Sequence, residues 1–202
     1  MRTIFYCLLV FLALPLSAQE DKKPATLGGF SLRNVGPAFV AGRIADIAVH
    51  PDHENTWYVA VASGGVWKTQ NAGITWQPIF DNKDVYATGC LTIDPNNPAT
   101  VWLGTGENVG GRHIGFGDGV YRSTDAGRSW KNMGLPNSEH VSKIIVHPDN
   151  SDVIWVASQG PLWSPGGDRG VFKSTDGGET WEKKLDSIAS NGELPPFLII
   201  PR

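Results

Sequence analysis

Charge is scarce in this 202-residue chain: Asp, Glu, Lys and Arg make up 18% of it, with 17 basic against 20 acidic side chains. The missing basic excess excludes a protein that coats duplex nucleic acid, which needs cations to displace condensed counterions. Hydrophobic residues at 41% exclude both a solvated tail and a polytopic membrane protein. Cysteine is nearly absent. Cys7 lies in an N-terminal apolar run, which leaves Cys90 with no partner for an internal disulfide. Cys90 precedes Leu91-Thr92-Ile93, a strand-like run, and is expected to be a buried structural thiol rather than a nucleophile. The core must then be held by packing.

Long hydrophobic runs are also missing, with one exception. Ile4 to Leu14 follows Arg2 and ends at Pro15-Leu16-Ser17-Ala18. It is shorter than the roughly 20 residues of a membrane span and reads as a secretory signal peptide over residues 1–18. Export to the periplasm or the cell exterior is expected. No sustained 3.6-residue period follows, so helices should be nearly absent. Motifs for zinc proteases, metal fingers, serine hydrolases and P-loop enzymes do not occur. The run Gly104 to Gly110 places its last glycine one position late for a dinucleotide loop, and no helix follows it. No loop has the ligand spacing of an EF-hand. His50 and His147 both precede proline at equivalent strand ends and read as repeat architecture. No metal and no cofactor are expected.

What the chain does have is repetition. One pattern occurs three times, closing at Trp76, Trp130 and Trp181, at intervals of 54 and 51 residues. Each copy reads as four short strands. The first ends at His50-Pro51, Asp94-Pro95 or His147-Pro148, where proline stops a hydrogen-bond ladder. The second centres on Tyr58, Trp102 or Trp155. The third is Gly65-Val66-Trp67-Lys68, Gly119-Val120-Tyr121-Arg122 or Gly170-Val171-Phe172-Lys173. The fourth begins at the closing tryptophan. Aromatic and β-branched runs between Gly, Pro, Asn and Asp clusters are strand and turn chemistry. Four-stranded units of about 40–50 residues have the size of propeller blades.

The turn before each closing tryptophan is the most specific feature. It reads Ser174-Thr175-Asp176-Gly177-Gly178-Glu179-Thr180-Trp181 in the third copy and Ser123 to Trp130 in the second. In the first, Asn71 stands where the others have Asp125 and Asp176. The acid or amide can accept hydrogen bonds from its own turn, Gly73, Gly127 and Gly178 supply positive φ, and the indole covers the turn. Asp125 and Asp176 are thereby read as structural, not catalytic.

These turns resemble the Asp-box, or BNR repeat, S-x-D-x-G-x-T-W. The resemblance spans about residues 35–186 and covers exported bacterial propellers loosely grouped with the glycosyl hydrolases. It extends to sortilin-like receptors and, more distantly, to xyloglucan-cleaving endoglucanases built from two propellers. It implies an all-β fold, a partial β-propeller of three four-stranded blades (approximately 35–86, 87–138 and 139–186). Residues 19–34 are expected to be an extension, with Phe30 to Val35 a possible closing strand, and residues 187–202 an irregular tail. A ring of roughly 4–8 blades is needed for closure, so three blades imply either a piece of a larger propeller or self-association.

Irregularity is concentrated in the loops between second and third strands, where a rigid scaffold can carry binding residues. Candidate binding residues there and beside it are Arg43, Glu107, Arg112, His113, Trp163 and Arg169, with Glu107 and Asp118 as the weaker catalytic candidates. Two readings stand. In one, Trp163 stacks on a sugar while carboxylates and arginines bond its hydroxyls. In the other, Glu107 and Asp118 pair with Arg112 to order the loop, and Trp163 packs on a neighbouring blade. In the xyloglucan-cleaving relatives a catalytic aspartate ends the second strand of the first blade, and Ala62 occupies that place here. The expected function is binding of a protein, peptide or glycan without catalysis; the alternative is part of a glycoside hydrolase.

Overall fold

The computed structural model describes residues 43–108 and 114–186. The expected signal peptide, the extension before the first blade, the tail from 187, and Arg112 and His113 lie outside the described residues. Twelve strands form three separate four-stranded antiparallel sheets, and no helix occurs among the described residues. Blade 1 holds β1 (Ile44–His50), β2 (His53–Val61), β3 (Gly65–Thr69) and β4 (Gln77–Pro78). Blade 2 holds β5 (Thr88–Ile93), β6 (Val101–Thr105), β7 (Val120–Ser123) and β8 (Lys131–Asn132). Blade 3 holds β9 (Val141–His147), β10 (Asn150–Ser158), β11 (Gly170–Ser174) and β12 (Glu182–Leu185). Every sheet is a simple meander in sequence order. The fourth strand starts one residue after each closing tryptophan and spans only two residues in blades 1 and 2.

Strand alternation gives each blade two apolar faces, and the register shows that they are equivalent from copy to copy. One face carries Ile47/Val59/Trp67 in blade 1, Leu91/Leu103/Tyr121 in blade 2 and Ile144/Val156/Phe172 in blade 3. The other carries the pairs Tyr58/Lys68, Trp102/Arg122 and Trp155/Lys173. Blades stack by setting the first kind of face on the second kind of the blade before it. Tyr58, Ala60 and Val66 thus share a buried cluster with Leu91, Leu103, Tyr121 and Trp130. Trp102, Val120 and Met133 share another with Ile144, Val156 and Phe172. Val59, Val61 and Trp67 form a third small cluster on the remaining face of blade 1.

The first strands lie side by side, β1 against β5 and β5 against β9. Polar groups sew them together: Leu91 N donates to Asp46 Oδ2 (3.0 Å), and Thr92 Oγ1 donates to the Ile144 carbonyl (2.8 Å). Cys90 is buried in the seam between blades 2 and 3. Burial, helped by the Asp46 carboxylate, pushes its thiol up to about 12, so it is inert at neutral pH.

Candidate functional site

Each blade presents two rims, because successive connections in a meander alternate between its ends. The Asp-box turns share one rim with the turns between first and second strands. The amides of Ala72, Ala126 and Gly177 donate to the carbonyls of Asn55, Ala99 and Asp152 across that rim. Within each box the hydroxyl of Thr69, Ser123 or Ser174 donates to Oδ1 of Asn71, Asp125 or Asp176 (3.0, 2.8 and 2.7 Å). The same hydroxyl accepts from the amide of Gly73, Gly127 or Gly178 (2.9, 2.8 and 2.8 Å). Oδ1 then accepts from the amide of Thr75, Ser129 or Thr180 (2.9, 2.8 and 2.9 Å). The last bond reveals the substitution. Ser129 Oγ and Thr180 Oγ1 donate to the second oxygen of Asp125 and Asp176, whereas the Asn71 amide donates to Thr75 Oγ1 (2.9 Å).

These bonds hold Asp125 and Asp176 down at about 2, with the Ser129 and Thr180 hydroxyls the largest causes. A carboxylate that accepts three hydrogen bonds from its own turn acts as a brace for that turn. Tryptophans complete the brace. Trp130 Nε1 donates back to the Ile79 carbonyl of blade 1 (2.8 Å), and Trp181 Nε1 to the Met133 carbonyl of blade 2 (2.7 Å).

The opposite rim does not repeat. At its centre Glu107, just past β6, is 2% exposed. Arg43, at the start of β1, donates to Glu107 Oε2, and Ser63, just past β2, donates to Oε1 at 2.6 Å. The Gly115 amide adds a third bond (3.3 Å). Glu107 is therefore neutralised across the blade seam by Arg43, whose side chain stays 49% exposed and can offer further N–H groups to solvent or ligand. His140, preceding β9, is fully buried beside it: Nδ1 meets the Glu107 carbonyl at 2.9 Å, and Phe116 stacks obliquely on the ring at 5.6 Å. Burial pulls the imidazole below its ordinary value, which favours its neutral form. Sequence reading misses His140 because it precedes no proline and belongs to no motif; only the meeting of blades 2 and 3 brings it to Glu107.

The other candidates separate. The expected pairing of Asp118 with Arg112 falls outside the described residues; the Asp118 Oδ1 accepts from Thr105 Oγ1 (3.3 Å) and its Oδ2 from the Tyr121 hydroxyl (2.6 Å). That bond, after burial, helps push the Tyr121 phenol up to about 12. Ala62 is buried, and its amide donates to the Arg43 carbonyl. Trp163 does not pack on a neighbouring blade. It is 73% exposed on a loop tethered by Arg169, which donates to the Pro161 and Ser164 carbonyls, and by Asp168, which pairs with the Asn137 backbone. Arg169 thus ties down the loop that carries Trp163. Among the described residues no group of three or more His, Cys, Asp or Glu side chains could hold a metal ion. No helix there is long and apolar enough to cross a membrane.

Comparison with known proteins follows this geometry. The BNR/Asp-box repeat pattern matches residues 172–183. The chain is similar to the oligoxyloglucan-reducing end-specific xyloglucanase of Emericella nidulans, 24% identical over 69% of this chain and 17% of that protein. It is similar to the xyloglucanase of Hypocrea jecorina, 26% identical over 82% of this chain and 20% of that protein. Among solved structures it superposes on an ancestral GH74 enzyme with a TM-score of 0.53, at 21% identity, over 70% of this chain and 18% of that one. The GH74 xyloglucanase from Xanthomonas campestris gives 0.51, at 19% identity, over 70% and 20%. The chain spans about a fifth of the length of these relatives. Its three boxes, three sheets and stacked seams are those of a partial Asp-box β-propeller, with a distant resemblance in sequence to the xyloglucanases.

Proposed function

We propose that these blades are part of an exported, carbohydrate-active propeller of glycoside-hydrolase type, and that their unrepeated rim binds a xyloglucan-like glycan. The observation that carries this reading is Trp163: a large ring left 73% exposed on a loop that is itself tied down. An indole held this way offers a flat apolar face to a sugar ring at little entropic cost. Arg43, fixed by Glu107, supplies hydrogen-bond donors on the same rim. The similarity to xyloglucanases supports the choice of glycan.

Binding is separate from bond cleavage. Glycoside hydrolysis uses two carboxyl groups roughly 5–9.5 Å apart with freedom to exchange protons. Here Glu107 is buried and bonded on both oxygens, Asp118 is bonded on both oxygens, and position 62 is alanine. The catalytic pair of such an enzyme is therefore assigned, at least in part, to residues outside these blades. Titration with xyloglucan oligosaccharides by calorimetry should give binding that Trp163→Ala weakens tenfold or more, while Asp176→Asn leaves it unchanged. Equal binding by Trp163→Ala would reject the platform. A reducing-sugar assay on the full reading frame decides the rest: complete loss of hydrolysis in a folded Glu107→Gln variant would make Glu107 catalytic and overturn the division drawn here.

A further inference from the structure

Where two blades meet, the corner beside the Asp-box is built from three repeating positions. They are the box residue two before the closing tryptophan, the cation on the preceding blade's third strand, and the residue after that blade's own tryptophan. Between blades 2 and 3 their charges balance. Glu179 of the third box is met by Arg122 of β7 at 3.5 Å and by Lys131 of β8 at 3.0 Å. Between blades 1 and 2 the same positions hold Arg128, Lys68 and Gln77. A cation has replaced the acid. Lys68 registers the change: burial, and then the Arg128 charge, pull its amine below its ordinary value, with Asp125 opposing.

This corner opens into a cleft of about 230 Å³. Asn82 and Lys83, after β4, form one wall, Arg128 and Ser129 of the second box form the other, and Phe80 and Trp130 lie between them. Among the described residues neither Lys83 nor Arg128 forms an ion pair. The acids close in sequence do not line the cleft. Asp125 accepts three bonds from its own turn, and Asp84 acts on the Tyr121 phenol. Asp81 turns toward Gly65, where an added Cβ would meet its Oδ1 at 3.8 Å.

The uncharged lining narrows the kind of anion. The Asn82 side-chain amide, without a hydrogen bond among the described residues, offers both donors and an acceptor. Ser129 Oγ gives its proton to Asp125 (2.6 Å) and keeps acceptor lone pairs. An ionised phosphate or a sulfate brings acceptors only and leaves those acceptors unmatched. A carboxylate that also carries hydroxyl groups matches all four side chains. The volume lies below the roughly 300–1,000 Å³ of drug-sized sites and suits one sugar ring.

We propose that this corner binds one hexuronate unit of an acidic glycan. Its carboxylate takes, between Arg128 and Lys83, the place that Glu179 takes between Arg122 and Lys131, and its hydroxyls bond Asn82 and Ser129. Both walls belong to this chain. The site is distinct from Trp163, which stands on blade 3, and is independent of the glycan reading given above.

Sodium glucuronate titrated into the full chain at fixed ionic strength should saturably shift the amide resonances of Asn82, Lys83, Arg128 and Ser129. Glucose, inorganic phosphate and N-acetylaspartate should each bind at least about tenfold more weakly. Arg128→Glu copies the third box and gives Lys68 an acid, so it should abolish the shifts with the urea midpoint held or raised. Lys83→Gln should weaken binding about threefold or more. Glucose binding as tightly as glucuronate would mean that the cations do not act, and would overturn the proposal. Phosphate or N-acetylaspartate binding as tightly would give the corner to a phosphate group or an acidic peptide instead. Undiminished affinity in either variant, or no saturable shift in the wild type, sinks it equally.

Discussion

The two rims of these blades grow from the same strands yet follow different rules. On the Asp-box rim, three turns repeat one hydrogen-bond set to within a few tenths of an ångström, even where Asn71 replaces an aspartate. On the opposite rim, equivalent places have diverged. Ala62, Gly106 and Gln159 all donate their amides to the residue preceding the blade's first strand, yet share no side-chain chemistry. Those acceptors are Arg43, Ala87 and His140, a cation, a methyl group and an imidazole. The repeated rim solves a local problem, satisfying a turn's own backbone. The diverged rim is released from that task and can collect Glu107, Arg43 and Trp163.

The sharpest break in this comparison should come at Gly106. Its φ is +80°, and a Cβ there would lie 1.7 Å from the Glu139 carbonyl oxygen. Gly106→Ala should cost about 4 kcal/mol or more, enough to prevent folding. Ala62→Gly, at the matching place in blade 1, should cost about 1 kcal/mol or less. Urea midpoints of the two variants would show whether the rim is as non-equivalent as the packing says; similar costs would contradict it.

A smaller effect separates the seam from the end of the stack. Trp102 is 1% exposed and covered by the box of blade 3, so Trp102→Ala should cost about 3–5 kcal/mol. Trp155 holds the same place in blade 3 but is only partly buried, so Trp155→Ala should cost about 1–2 kcal/mol. Equal losses in thermal unfolding would mean that the ring's own sheet, rather than the next blade, supplies its stability.

The smallest effect tests the equivalence of the boxes. Asp125→Asn copies the first box and should change stability by no more than about 0.5 kcal/mol at pH 7. Acid exposes the difference. The Asp125 pKa of about 2 lies below an unfolded value of about 3.9, so its contribution is present above pH 4 and is lost as pH falls through 2. The variant should lose less stability than the wild type between pH 4 and pH 2. Urea midpoints across that range measure it, and parallel curves would show that the carboxylate's bonds add nothing.

Much of the fold is legible in the residues because its information is local. Prolines at 51, 95 and 148 follow the first strands, and Thr69, Ser123 and Ser174 mark where the third strands give way to turns. The site is less legible. Glu107 stands out as the acid of an irregular loop, but its partners Arg43 and Ser63 are 64 and 44 residues away and come from another sheet. His140 carries no signal at all until β9 is laid against β5. Asp118 looked equivalent to Glu107 by its loop, yet hydrogen bonds to Thr105 and Tyr121 give it to the wall of β6 and β7.

Sequence by itself determined the period, the strands and the box turns, since each depends on bonds closed within a few residues and on the preferences of proline, glycine and the indole. Tertiary structure alone decided which acid is buried against which base, which tryptophan is covered and which stands in water. Those outcomes depend on what the neighbouring sheet places across a gap of one side chain, and no short stretch of chain holds that information.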